Sequence, residues 1–210
     1  MTYSVKELFY TLQGEGANAG RAAVFCRFSG CNLWSGLERD RVRAVCNFCD
    51  TDFVGVDGVG GGKFATAHEL AQAVDRLWPH AEAHKFVVCT GGEPLLQLDE
   101  AAIAAFKQLG FTVAVESNGT VPAPPGVDWL CVSPKADAEL RQFQADELKL
   151  VFPQAHAMPE RFADFAATHY LLQPLDGPQR EAHTRAAIEY CKAHPKWRLS
   201  VQLHKVLGIP

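Results

Sequence analysis

From residue 85 onward, short apolar runs keep ending in small clusters of polar residues. The run 85–89 (KFVVC) ends in Thr90, Gly91, Gly92, Glu93 and Pro94; the run 111–115 (FTVAV) ends in Glu116, Ser117, Asn118, Gly119 and Thr120. The run 129–132 (WLCV) ends in Ser133, Pro134 and Lys135, and 148–152 (LKLVF) leads toward a short helix. The run 170–172 ends in Gln173, Pro174, Leu175 and Asp176, and 199–203 (LSVQL) ends in His204 and Lys205. Runs this short suit strands, and the intervening segments to Gly110 and over about 179–193 suit helices. Strands alternating with helices imply parallel pairing and right-handed crossovers. In a (β/α) barrel the C-terminal strand ends converge on one face, which carries the active site. About six such units are present, fewer than the eight of a closed barrel, so the expectation is an α/β chain folded as a partial, open (β/α)6-type barrel. A doubly wound open sheet stays as the alternative, because strand order is not written in the sequence.

The first half of the chain frames this repeat. The run 22–28 (AAVFCRF) reads as a buried strand, with Arg27 near its end. Arg27 is either a surface residue or a bidentate partner for a substrate carboxylate, which its planar fork suits. Cys26 alternates away from it, toward a core. Before this strand, Leu12, Gln13, Gly14, Glu15 and Gly16 place an amide and a carboxylate on a glycine-flanked loop that is either an ordinary turn or a ligand contact. The stretch 55–63 (GVDGVGGGK) fails both the Walker A and the dinucleotide glycine patterns and reads as a flexible connector. Thr66 and Glu69 have capping-box spacing and open a helix to about Trp78, with His68 solvated in its first turn.

Cys31, Cys46 and Cys49 form a C-x14-C-x2-C pattern. Two of the thiols are close in sequence, the third is brought in by a loop, and no fourth ligand is obvious. A structural zinc wants four closed ligands. Three thiolates with an open position suit a cubane iron–sulfur cluster. The spacing by itself leaves open both that cluster and a zinc site completed by His68.

Of the 210 residues, 48 % are apolar and 21 % charged, as in an ordinary globular chain, most simply one domain over 1–210 with a cluster-loop insertion at about 31–49. A net charge of −4 offers no broad basic field for nucleic acid or an anionic membrane. Seven cysteines form no regular disulfide framework. The N-terminus has no uninterrupted apolar h-region, and no stretch approaches the ~20 apolar residues that span a bilayer. A reducing, cytoplasmic location is the expectation.

Taken with the Gly91-Gly92-Glu93-Pro94 stretch and the polar strand ends, the cysteine pattern resembles the radical S-adenosylmethionine enzymes. More closely, it is similar to the 7-carboxy-7-deazaguanine synthase family, in which the usual C-x3-C-x2-C spacing can be expanded in this way. The resemblance covers essentially the whole chain and agrees with the incomplete barrel of those enzymes. It implies a [4Fe–4S] cluster on Cys31, Cys46 and Cys49, bound S-adenosylmethionine, and Mg²⁺ held by Thr51 together with substrate oxygens. It implies cofactor contacts from Phe48, Cys49, Asp50, Gly92, Glu116, Ser117, Ser133, Pro134, Lys135, Gln173, Pro174, Leu175 and Asp176. Substrate contacts are implied for Leu12, Gln13, Gly14, Glu15, Arg27, Thr90, His204 and the terminal Pro210, with no side chain assigned as acid or base. The implied reaction is radical-mediated ring contraction of 6-carboxy-5,6,7,8-tetrahydropterin to 7-carboxy-7-deazaguanine with loss of ammonia, in queuosine biosynthesis. A flavodoxin or ferredoxin as electron donor and a homodimer are implied as well. A glycyl-radical-activating enzyme and a non-catalytic zinc protein are the rival readings.

Overall fold

The structure, a computed structural model, describes residues 2–79 and 84–210. Among the described residues, nine strands form one sheet: β1 (Tyr3–Leu12), β2 (Ala22–Phe28), β3 (Gly62–Phe64), β4 (Phe86–Gly91), β5 (Thr112–Ser117), β6 (Trp129–Val132), β7 (Gln144–Phe152), β8 (Ala166–Pro174) and β9 (Trp197–Leu199). Their order is β3-β1-β2-β4-β5-β6-β7-β8-β9. The pairings from β2 through to β9 are all parallel, while β1 is antiparallel to both of its neighbours. A doubly wound sheet reverses its strand order at a switch point. Here the parallel strands follow one another without reversal, which is barrel-type winding.

The sheet curls without closing. β3 and β9 are its two edges, yet the Gly16 N–H, just beyond β1, donates to Ser200 Oγ, just beyond β9, at 3.0 Å. One face packs on the helices α1 (Ala67–Asp75), α2 (Glu100–Gln108) and α3 (Arg180–Ala193), with Cys26, Phe28, Val87, Cys89, Leu70, Ile103 and Phe106 among its buried residues. Cys26 is fully buried there, while Arg27 turns to the other face. Strand alternation therefore divides each strand between a core side and a concave side.

Local chemistry fixes the helix starts. Thr66 and Glu69 make the expected capping box on α1, and His68 stands exposed, within 2.9 Å of Gln72. Asp99 Oδ1 caps α2 through the Ala102 N–H at 2.9 Å and also accepts from the Tyr3 hydroxyl at 2.7 Å, joining β1 to that helix.

Several boundaries differ from the sequence reading. α1 ends at Asp75. The helix expected from Pro94 to Gly110 is a 3-10 turn, Pro94–Leu96, followed by α2. The short helix after β7 is the 3-10 turn Pro159–Phe162, and β5–β6 and β6–β7 are joined without helices. Residues 55–63 are no loose connector. They lie along β1, with Leu8 N–H donating to Val59 O at 2.8 Å and Gly58 N–H to Lys6 O at 2.9 Å, before β3 pairs with β1. The buried Lys6 ammonium holds Asp57 at 2.7 Å and Asp52 at 3.0 Å, tying this segment down. The strand expected over 199–203 is also corrected. β9 stops at Leu199 and a short helix, α4 (Leu203–Leu207), follows. The reason is tertiary: the Leu203 N–H is taken by Gly14 O at 2.9 Å, which turns the chain across the sheet.

Candidate active site

The concave face, the cysteine loop and the C-terminal tail enclose a cavity of about 390 Å³. Every residue proposed for the site lines it except Pro134, which is buried behind the wall with its carbonyl 3.5 Å from Gln154 Nε2. His68 is not among the lining residues.

Cys31, Cys46 and Cys49 share one side of this cavity. The insertion between them is organised around Trp34, which meets Phe53 edge-on at 5.6 Å, and the 3-10 turn Glu38–Arg43. The Arg41 guanidinium lies 4.0 Å over the Trp34 ring and donates to the carbonyls of Asn47 at 3.0 Å and Cys49 at 2.9 Å. The Cys46 thiol donates to the Cys49 sulfur. With help from Thr51, this brings the Cys49 thiol down to about 6 and pushes Cys46 up. Burial raises Cys31, although the Leu33 N–H, 3.4 Å from its sulfur, favours the thiolate. Among the described residues, no three His, Cys, Asp or Glu side chains close around a single ion. Three soft sulfur donors without a fourth ligand fit a multi-iron cluster better than zinc.

Gly91 ends β4, and Gly92 follows it against Cys31. A Cβ on Gly92 would strike Gly30 O and come within 2.7 Å of the Cys31 Cβ, so the glycine is what lets the cysteine loop cross this close. Glu93, completely buried, caps the following turn through Leu95 N–H at 3.0 Å and accepts from Ser117 Oγ at 3.0 Å and Asn118 N–H at 2.7 Å. Burial raises its pKa against those hydrogen bonds. Lys135 donates to Ser133 Oγ at 2.9 Å. Gln173 Oε1 is buried with no partner, an acceptor that fits a ligand N–H such as that of an adenine amine. The donor set and this orphan acceptor fit a cluster with S-adenosylmethionine beside it.

On the other wall the Arg27 Nε–H donates to Glu7 at 2.7 Å. Gln13 Nε2 donates to Glu116 Oε1 at 3.2 Å, so Glu116 joins the network of Gln13 and Glu15. The link is Lys149, a buried ammonium 2.6 Å from Glu15 Oε2 and 2.9 Å from Glu116 Oε2. Burial alone would raise Glu15, but the Lys149 charge and hydrogen bond overcome it and hold the carboxyl at about 2. The tail crosses above. Gln202 Nε2 donates to Glu15 at 3.1 Å, and Lys205 bridges Asp50 and Asp176, the latter at 2.6 Å. Both aspartates, expected to face the cofactor, are thus paired with the tail. Thr11 Oγ1 donates to Pro210 O at 3.1 Å.

Lys149 and Gln202 are absent from the sequence-derived site. The signal for Lys149 was a cation between Leu148 and Leu150 in an apolar run, where period-2 alternation turns it inward. Gln202 falls in the stretch 199–203 that reads as the last strand, where nothing local marks it.

An open barrel of sequential parallel strands whose C-terminal rim carries three thiols, with no closing ligand among the described residues, is the architecture of a radical S-adenosylmethionine enzyme. No protein-family model matches the chain. The 7-carboxy-7-deazaguanine synthase of Caulobacter vibrioides is 66% identical over 210 residues, and that of Bordetella pertussis 64%, each covering 100% of both chains. The same-named protein of Nitratidesulfovibrio vulgaris is 55% identical over 216 residues, again with 100% of both chains covered. The crystal structure of QueE from Escherichia coli superposes with a TM-score of 0.71 at 31% identity, covering 97% of this chain and 95% of that one. The chain belongs to the 7-carboxy-7-deazaguanine synthase family.

Proposed function

We propose that this chain converts 6-carboxy-5,6,7,8-tetrahydropterin to 7-carboxy-7-deazaguanine by radical ring contraction with loss of ammonia. The observation that carries the reading is full-length identity of 66% to a synthase of that name, on a fold whose three-thiol loop faces one cavity. Cys31, Cys46 and Cys49 would hold a [4Fe–4S] cluster, and the strand-end residues Gly92, Ser117, Ser133, Lys135, Gln173 and Asp176, with Phe48 and Asp50, would hold S-adenosylmethionine. When bound, this pair supplies the one-electron chemistry that removes a hydrogen atom from the substrate.

The chain's own residues bind and orient the substrate. Arg27, fixed through its Nε by Glu7, aims a cation at the pterin carboxylate. Gln13, Glu15 and Glu116 present acceptors to the N–H groups of the aminopyrimidinone. The tail, with His204 and Pro210, excludes water above them. Thr51 lines the same cavity and would offer its hydroxyl oxygen to a Mg²⁺ ion, whose charge would help to orient the substrate. A homodimer and a flavodoxin- or ferredoxin-type electron donor complete the reading.

The test is anaerobic incubation of the reconstituted protein with the pterin, S-adenosylmethionine and a low-potential reductant. Formation of 7-carboxy-7-deazaguanine is expected. A glycyl-radical-activating enzyme would leave the pterin unchanged.

A further inference from the structure

Lys149 is an unusual residue for the middle of a barrel strand. It sits between Leu148 and Leu150, both fully buried on the core side, and its own side chain is 6% exposed on the concave side. A buried ammonium without partners is costly. This one touches two carboxylates that come from different parts of the chain: Glu15 on the loop after β1 and Glu116 on β5. The protein's own donors take only part of what those carboxylates can accept. Glu15 accepts from Lys149 and Gln202, and Glu116 accepts from Lys149, Gln13 and the Cys131 thiol. A carboxylate offers about four acceptor positions. Two carboxylates and one ammonium also leave the floor one negative charge in excess, which favours a ligand edge rich in N–H groups and repels the pterin's own carboxylate toward Arg27.

We propose that Lys149 is a positioning residue for the substrate: it clamps Glu15 and Glu116 side by side as a two-carboxylate platform that receives the donor-rich aminopyrimidinone edge of the pterin. This rests on the pterin reading above and adds a residue and an orientation to it. The titratable groups facing the platform are Cys131 on β6, Glu147 on β7 and His204 on α4, besides Glu15 and Glu116 themselves. Burial holds the Cys131 thiol up and so neutral, and burial with the neighbouring Glu116 charge raises Glu147. Lys149 is therefore the cation that faces both platform carboxylates at hydrogen-bond distance, and its removal leaves two buried like charges adjacent. One of them then takes up a proton at a higher pH than it does now.

The experiment measures equilibrium binding of the pterin to anaerobically reconstituted enzyme without reductant, for the wild type, Lys149→Met and Lys149→Gln, with folding checked by circular dichroism. Lys149→Gln keeps an amide donor at the site and serves if the apolar variant does not fold. In a folded variant, affinity falls about tenfold to a hundredfold, the size expected for losing hydrogen bonds from a charged group. It also weakens more steeply than wild-type affinity as pH drops from about 8 to about 6, because one platform carboxylate now takes up a proton in that range; His204 contributes equally to both profiles and cancels in the ratio. A folded variant with wild-type affinity and the wild-type pH profile overturns the proposal. A loss by the same factor at every pH does so too, because it reports packing alone. If the wild type neither binds nor converts the pterin, the functional reading itself fails, an outcome distinct from both.

Discussion

Arg41 Nη1 donates to the backbone carbonyl of Cys49 at 2.9 Å while its guanidinium lies 4.0 Å over the Trp34 ring. The fourteen-residue spacer between Cys31 and Cys46 is thus tied back onto the cysteines it separates. Arg41 also holds the Asn47 carbonyl and pairs with Glu38 in the same turn, so one side chain holds two carbonyls of the Cys46–Cys49 segment. Arg41→Ala removes these bonds without touching a thiol. We expect the variant to assemble its cluster but to lose it to a chelator about five- to thirtyfold faster, the range set by about 1–2 kcal/mol of hydrogen bonding. The measurement is the rate of visible bleaching under chelator; a rate equal to wild type contradicts this role.

Arg27 is held at its Nε by Glu7 and lines the cavity. Arg27→Ala should raise the KM for the pterin by about tenfold to a hundredfold, as loss of a charge-assisted contact implies. Reductive cleavage of S-adenosylmethionine should change far less. Steady-state kinetics alongside a cleavage assay separate the two, and an equal loss of both would assign Arg27 to folding.

The tail reaches the rim through Lys205, whose ammonium bridges Asp50 and Asp176 and is only partly exposed. Partly exposed pairs of this kind contribute about 0.2–1 kcal/mol each. Lys205→Ala should therefore raise the pterin KM by only about two- to fivefold and hasten proteolysis near the C-terminus. A carboxypeptidase time course with and without pterin checks the second effect, and no change in either quantity argues against a tail held at the rim by Lys205.

The Tyr3 hydroxyl donates to the same Asp99 oxygen that caps α2. Burial, and then this bond, push the Tyr3 pKa upward, so the hydroxyl stays a donor at every working pH. Tyr3→Phe should cost about 1–2 kcal/mol in urea unfolding, with kcat unchanged. A stability within error of wild type would assign the joint between β1 and α2 to packing alone.

How far the sequence anticipated this architecture depended on whether a signal was local. β4, β5 and β6 were legible because each apolar run stops abruptly at a polar cluster, and those clusters do share the cavity wall. Cys26 and Arg27 fell on opposite faces as strand alternation requires. β1 was not read as a strand, because Lys6 and Glu7 interrupt its pattern and its register slips between Val5 and Glu7. Those charges are satisfied by Asp57, Asp52 and Arg27, partners distant in sequence. The same holds for Lys149 and Gln202, whose roles emerge only when β7 and the tail meet the loop after β1. The stretch 199–203 alternates like a strand, yet its last donor bonds Gly14 instead of β8. Where a hydrogen bond crosses the whole chain, local pattern does not reveal it.

The central claim is that Cys31, Cys46 and Cys49 jointly hold one cluster with an iron left free of protein. Iron, sulfide and zinc analysis of the anaerobically reconstituted protein tests it most directly, run beside Cys31→Ala, Cys46→Ala and Cys49→Ala. We expect a brown wild type with about four irons per chain, and in each variant loss of the cluster together with turnover. A colourless protein that carries zinc and still converts the pterin, or an intact cluster in any one of the three variants, would contradict the account.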